Sequence, residues 1–229
     1  YMDDTTPVQQ IFATSSQLAA IGEHKLAAEG FGQVLRIMPE NGIARVNFAT
    51  MLDKAGHATL ALEHFAQVAD GANIEPPTQA TARLRYGVLL LSDGLGLCTK
   101  NDRSALRHTA ECNATKTERL DKGVHYLALL QQLSAAEAEA TAPSTAHQQA
   151  LGTANRRLMG QALKFLGRFP EAIAQYAALR ENTEELAALP AHDRGLYTFE
   201  YAVLMEEQGR YADGLYGEAL TMTDTKAHA

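Results

Sequence analysis

Apolar positions along the chain recur at two spacings at once. Within short segments they fall every three to four residues, the spacing of one buried face on a helix. A longer pattern returns after 34 residues: Gly22, Ala27, Phe31 and Val34 reappear as Gly56, Ala61, Phe65 and Val68. The short spacing predicts helices over about 7–20 and 23–37 around a turn at Gly22. The long spacing predicts that this pair is one unit of an array, because two short helices cannot bury their shared apolar face alone and gain a core only by stacking on the next pair.

Breakers punctuate the units. Pro39-Glu40-Asn41-Gly42 stops the first, since proline cannot continue a helix and Asn-Gly favours a turn, and Pro76-Pro77 closes the second. Downstream, Met159 to Ile173 repeats the turn at Gly167, with Ala172 and Tyr176 spaced as Ala27 and Phe31 are. Tyr201 to Tyr211 is a weaker last copy in which Gly214 replaces the alanine. In the middle, Tyr86 to Gly94 reads as the first helix of a third unit, residues 95–102 interrupt, and a helix resumes over 103–112. Leu120, Val124, Leu127, Leu130 and Leu133 then predict a long helix over about 117–141, followed by a loop at Ala142-Pro143-Ser144-Thr145. The expected organisation is a single domain over 1–229, with units at about 8–41, 42–75, 79–115 (interrupted), 153–186 and 195–222. An irregular insertion with its long helix occupies about 95–145.

These residues resemble the tetratricopeptide repeat (TPR) family, whose pattern is Leu-Gly in the first helix, a turn glycine, then Ala, an aromatic and a closing Pro. The resemblance covers about 8–95 and 150–222. It implies an all-α, right-handed α-solenoid of antiparallel helix pairs with four to five repeats. It further implies a non-catalytic protein-protein interaction scaffold, adaptor or subunit of a larger assembly. In such a stack the first helix of each repeat lines the concave wall, which here carries Gln9, Phe12, Ser16, Val46, Asn47, Thr50, Leu84, Arg85, Val88 and Leu91. That mixture suits an extended segment or a helix held by apolar anchors, with Asn47 and Arg85 fixing its backbone or a carboxylate. Phe12, Val46, Leu84 and Leu91 have a second reading as core between neighbouring helices. Some relatives clamp an acidic chaperone tail; Asn47 and Arg85 match that clamp, whereas Phe12, Ser16 and Thr81 stand where it uses Lys, Asn and Lys. Two other readings share these features: the repeat region of a larger enzyme, and a transient assembly factor.

Composition narrows the partners to other proteins. The net charge of −7 over 229 residues, with no basic cluster, argues against nucleic acid and anionic lipid. No run approaches the roughly 18 apolar residues of a membrane span, although contact with a membrane complex through its proteins is compatible. Tyr1 as first residue suggests a fragment or a processed protein, such as an organelle protein that has lost a targeting segment. Cys98 and Cys112 lie in the interrupted stretch, and a disulfide between them would contribute roughly 3 kcal/mol. Asn113-Ala114-Thr115 matches a glycosylation acceptor at about the frequency expected by chance.

The sequence carries no phosphate loop, zinc-binding His pair, nucleophile elbow or dinucleotide fingerprint. His57 and His64 lack a third ligand, and Cys98, Cys112 and His108 fit no zinc spacing. The expectation is therefore no catalytic residue, no metal and no cofactor.

Overall fold

The computed structural model describes residues 5–96, 110–137, 152–210 and 212–224. All regular structure among them is helical. The chain runs through α1 (Thr5–Ala20), α2 (His24–Ile37), α3 (Gly42–Lys54), α4 (Ala58–Ala69), α5 (Pro76–Gly96), α6 (Ala110–Glu137), α7 (Thr153–Phe165), α8 (Phe169–Glu181), the short α9 (Thr183–Ala188), α10 (Ala191–Glu207) and α11 (Asp213–Asp224). Each helix of the first half packs on the next in order from α1 to α6, and α7/α8 and α10/α11 form further pairs. This is a TPR-like α-solenoid.

Four turns within pairs share one geometry. Gly22, Gly56, Gly167 and Gly209 have φ between 66° and 87°, the left-handed region that glycine enters without a Cβ penalty. The residue after each glycine donates its N–H to the carbonyl five residues back: Glu23 to Leu18, His57 to Leu52, Arg168 to Leu163 and Arg210 to Met205, at 2.8–2.9 Å. That bond satisfies a carbonyl left open at the helix end and fixes the angle at which the chain reverses. Between pairs, the Asn41 side chain caps α3 by accepting from the Ala44 N–H at 2.9 Å; within the α7/α8 pair, Pro170 sits in the first turn of α8.

Seven residues before each turn glycine stands a small residue, Ser15, Ala49, Gly160 or Ala202, and each is buried. These are the crossing points of the pairs. A Cβ at Gly160 would lie 2.5 Å from the Tyr176 ring, and one at Gly30 would lie 2.0 Å from Ser15 Oγ. In the third pair the same role falls to Gly87, whose carbonyl would be 3.1 Å from a Cβ on Gly123. Gly94 stands at the turn position of that pair yet stays helical, because α6 continues alongside it with Leu120 where a Gly94 Cβ would go. The segment expected as an insertion is thus in part ordinary stack: 110–137 is the antiparallel partner of α5. The helix expected over 103–112 lies mostly outside the described residues.

The core forms two large bodies joined at α5, with a small third cluster of Val8, Val34 and Ala44 at the N-terminal end. Ala82, Tyr86, Leu89 and Leu90 complete the first with Phe31, Leu52 and Phe65. Ala80, Leu84 and Leu91 complete the second with Leu120, Leu127, Met159, Leu163 and Tyr197. Because α5 packs on both bodies, its stretch from Tyr86 to Leu91 reads as a continuous apolar run.

Two substitutions separate turn from crossing. Gly167→Ala forces a Cβ into the left-handed region and should cost about 1–2 kcal/mol. Gly160→Ala gains about 1 kcal/mol of helix propensity but overpacks against Tyr176 at about 1–3 kcal/mol, so it too should destabilise. Urea unfolding with an unchanged slope measures both; a stabilised Gly160→Ala would show that the crossing is looser than described.

Candidate functional site: the inner wall and its two halves

The first helices of the pairs form one wall. Helix α3 touches α5 and α5 touches α7, while α10 is tied to α7 by side chains. Counting back from the turn glycine puts equivalent residues in register: Phe12, Val46, Arg157 and Phe199 stand ten before it, Asn47 and Glu200 nine before, and Ser16, Thr50 and Gln161 six before. Leu84, Arg85 and Val88 take the same places relative to Gly94.

The expected groove residues divide by burial. Val46, Leu84 and Leu91 are buried, and Leu91 packs where α5 crosses Gly123. Phe12 and Val88 are half-buried, with the Phe12 ring edge-on to Phe31 at 5.3 Å. Ser16 and Thr50 turn their hydroxyls to the carbonyls of Phe12 and Val46 at 2.9 and 2.8 Å, which leaves their outer surfaces weakly polar. Asn47 is half-buried and Arg85 exposed. Among the described residues neither makes a hydrogen bond or ion pair. Cys98 lies outside the described residues, as does the side chain of Cys112, and with them the expected disulfide.

At the N-terminal end the wall opens into a socket. Val8, Gln9, Phe12, Val34, Met38 and Asn41 surround a cavity of about 320 Å³. Of its lining Met38 is 45% exposed, and nearby in the chain Ile37 and Ile43 are 56% and 50% exposed.

The C-terminal half carries a polar network between its two repeats, beside the half-exposed Phe199. Arg157 donates two hydrogen bonds to Glu200, Nε to Oε2 at 2.8 Å and Nη2 to Oε1 at 2.6 Å. Gln161 Nε2 donates to Glu200 Oε1 at 3.0 Å, and the Tyr176 hydroxyl to Oε2 at 3.2 Å. Lys164–Glu207 at 2.8 Å and Arg180–Glu218 at 3.1 Å join the same two repeats. A bidentate Arg–carboxylate pair is geometrically specific and stronger than a single neutral hydrogen bond. The Glu200 bond holds Arg157 above its ordinary pKa. Burial, and then the negative charge of Glu200, pushes the Tyr176 phenol up, and burial does the same for Tyr197. Arg157, Gln161 and Glu200 were not among the expected groove residues, although the register of the turn glycines places them on the same positions.

Comparison with solved structures places the backbone among TPR-like solenoids. A MamA RS-1 ArsTM double mutant matches over 100% of both chains with a TM-score of 0.60 at 14% identity. The Podosopora anserina putative kinesin light chain with nearly identical TPR-like repeats, and its Q17M form, match over 100% of both chains with a TM-score of 0.55 at 14% identity. At these identities the likeness is one of fold. No protein-family model and no curated protein matches the chain.

The polar half generates two expectations. Glu200→Gln keeps the shape and removes the charge, so it should lower stability by about 1–3 kcal/mol and hasten tryptic cleavage between α8 and α11; an unchanged digestion pattern would show that the apolar contacts alone dock the last repeat. Tyr176 and Tyr197 have folded pKa values above the unfolded value of about 10, so their contribution is complete below that pH and is lost as pH rises beyond it. Absorbance at 295 nm should therefore show these phenols ionising only together with loss of helical circular dichroism, and ionisation of every tyrosine at full helicity would contradict their burial.

Proposed function

We propose that this chain is a non-catalytic protein-interaction scaffold that holds a segment of another protein along the N-terminal half of its inner wall. A TPR-like stack generally serves to present an extended concave surface to other proteins. The observation that carries the reading is the contrast between the halves. In the C-terminal half the cation Arg157 is already satisfied by Glu200, whereas in the N-terminal half the exposed Arg85 and the half-buried Asn47 have no hydrogen-bond or ion-pair partner among the described residues, and an apolar socket lined by Val8, Phe12, Val34 and Met38 lies at the N-terminal end. A bound segment would place an apolar side chain against Phe12 and Met38 and cross Thr50 with its backbone near Asn47. A carboxylate, or a backbone carbonyl, would meet Arg85. Residues 95–145 are a second contact surface in this reading; of these, 97–109 and 138–145 lie outside the described residues.

Photocrosslinking in the native extract tests it. A photoreactive residue at Gln9 or Thr81 should yield discrete protein adducts that decline about tenfold on Met38→Asp and Arg85→Ala, while one at Glu206 should not. Adducts that are equal at all three positions, or insensitive to both substitutions, would refute the assignment.

A further inference from the structure

A second groove, sharing no residue with the inner wall, runs between α2 and the helix pair that follows it. It encloses about 700 Å³, with Phe48 and Leu52 in its floor and Lys25, Glu29 and Arg36 along its edge. What opens it is Gly32. A glycine inside a helix costs stability relative to alanine, and nothing in this chain requires one there: an added Cβ would stand 3.4 Å from the Phe48 ring, an ordinary contact. The equivalent positions in two other repeats, in register with the turn glycines, are Ala66 and Ala177. Beside Ala66 the residue equivalent to Phe48 is Tyr86, buried at 6% exposure, whereas Phe48, like Tyr201 beside Ala177, is only partly covered. The first repeat thus carries a glycine over a partly open aromatic floor, at a cost in helix stability relative to alanine.

The rim has its own chemistry. Lys25 and Arg36 are eleven residues apart on α2, about 16 Å or three turns, and neither is engaged in an ion pair or hydrogen bond among the described residues. Glu29 between them is the single carboxylate of the lining, so the edge is net positive in a chain of net charge −7. We propose that this groove docks an amphipathic helix of a partner protein that seats an apolar side chain over Gly32 against Phe48 and offers carboxylates, spaced about three turns apart, to Lys25 and Arg36. The apolar floor supplies the affinity and the two cations set orientation and exclude basic helices.

The test uses fluorescence anisotropy with a labelled synthetic helix of about 18 residues, made of Leu on one face and Glu and Ala elsewhere, and two controls: the same peptide with Lys for Glu, and with Ser for Leu. The acidic peptide should bind at micromolar Kd, with each control at least about tenfold weaker. Gly32→Leu fills the groove and should abolish binding; Lys25→Ser with Arg36→Ser should weaken it severalfold; Arg85→Ala should leave it unchanged, which separates this surface from the inner wall. Gly32→Ala, expected to melt no lower than the parent, serves as the folding control and should weaken binding only slightly. Equal binding of the acidic and basic peptides, no binding of the acidic one, or full binding by a folded Gly32→Leu would overturn the proposal. So would concentration-dependent dimerisation of the chain abolished by Gly32→Leu, since the occupant would then be a second copy.

Discussion

Helices in this stack meet at points where a side chain has no room. Tyr176 occupies the space a Cβ on Gly160 would need, Leu91 and the Gly87 carbonyl occupy that of Gly123, and the Ser15 hydroxyl occupies that of Gly30. Close crossing brings large residues on either side of the contact, Phe31, Phe65, Leu127 and Tyr197 among them, into full burial, where each contributes on the order of 1.5–3 kcal/mol over exposure. The turn glycines are the complement of this constraint. A crossing that tight fixes where the second helix must start, and a left-handed residue closed by an i to i−5 hydrogen bond delivers the chain there.

The same constraint creates the surfaces. Where first helices pack on first helices, the residues nine and six before each turn glycine recur along the row they form. Their chemistry differs between its two halves. Where they are Glu200 and Gln161 the wall joins itself, and the last repeat is held by charge as well as by apolar contact. At Asn47 and Arg85 no side chain among the described residues supplies a hydrogen bond or ion pair. The Met38 socket lies at the N-terminal end.

Much of the fold was legible because the repeats restate it. Gly22, Ala27, Phe31 and Val34 and their copies located α1 to α4, with observed limits of Thr5–Ala20 and His24–Ile37 against expected spans of about 7–20 and 23–37. The spacing of Leu120 to Leu133 indicated a long helix, observed as Ala110–Glu137. Its role was harder to read: Gly94 looks like a turn in sequence, but a glycine also serves a close crossing, and only packing against Leu120 distinguishes the two. Exposure along the wall was not legible: Val46 and Leu91 were expected in the groove and are buried. The Arg157–Glu200 pair joins residues 43 apart in the chain, a coupling that periodicity within one helix cannot reveal.

Amide hydrogen exchange, compared between the isolated chain and the chain within its native complex, tests the division of the wall most directly. The account predicts added protection along α1, α3 and α5 on assembly, with α10 unchanged because Glu200 is already engaged in the free protein. Added protection confined to α7 and α10, with α1, α3 and α5 exchanging as before, would contradict it.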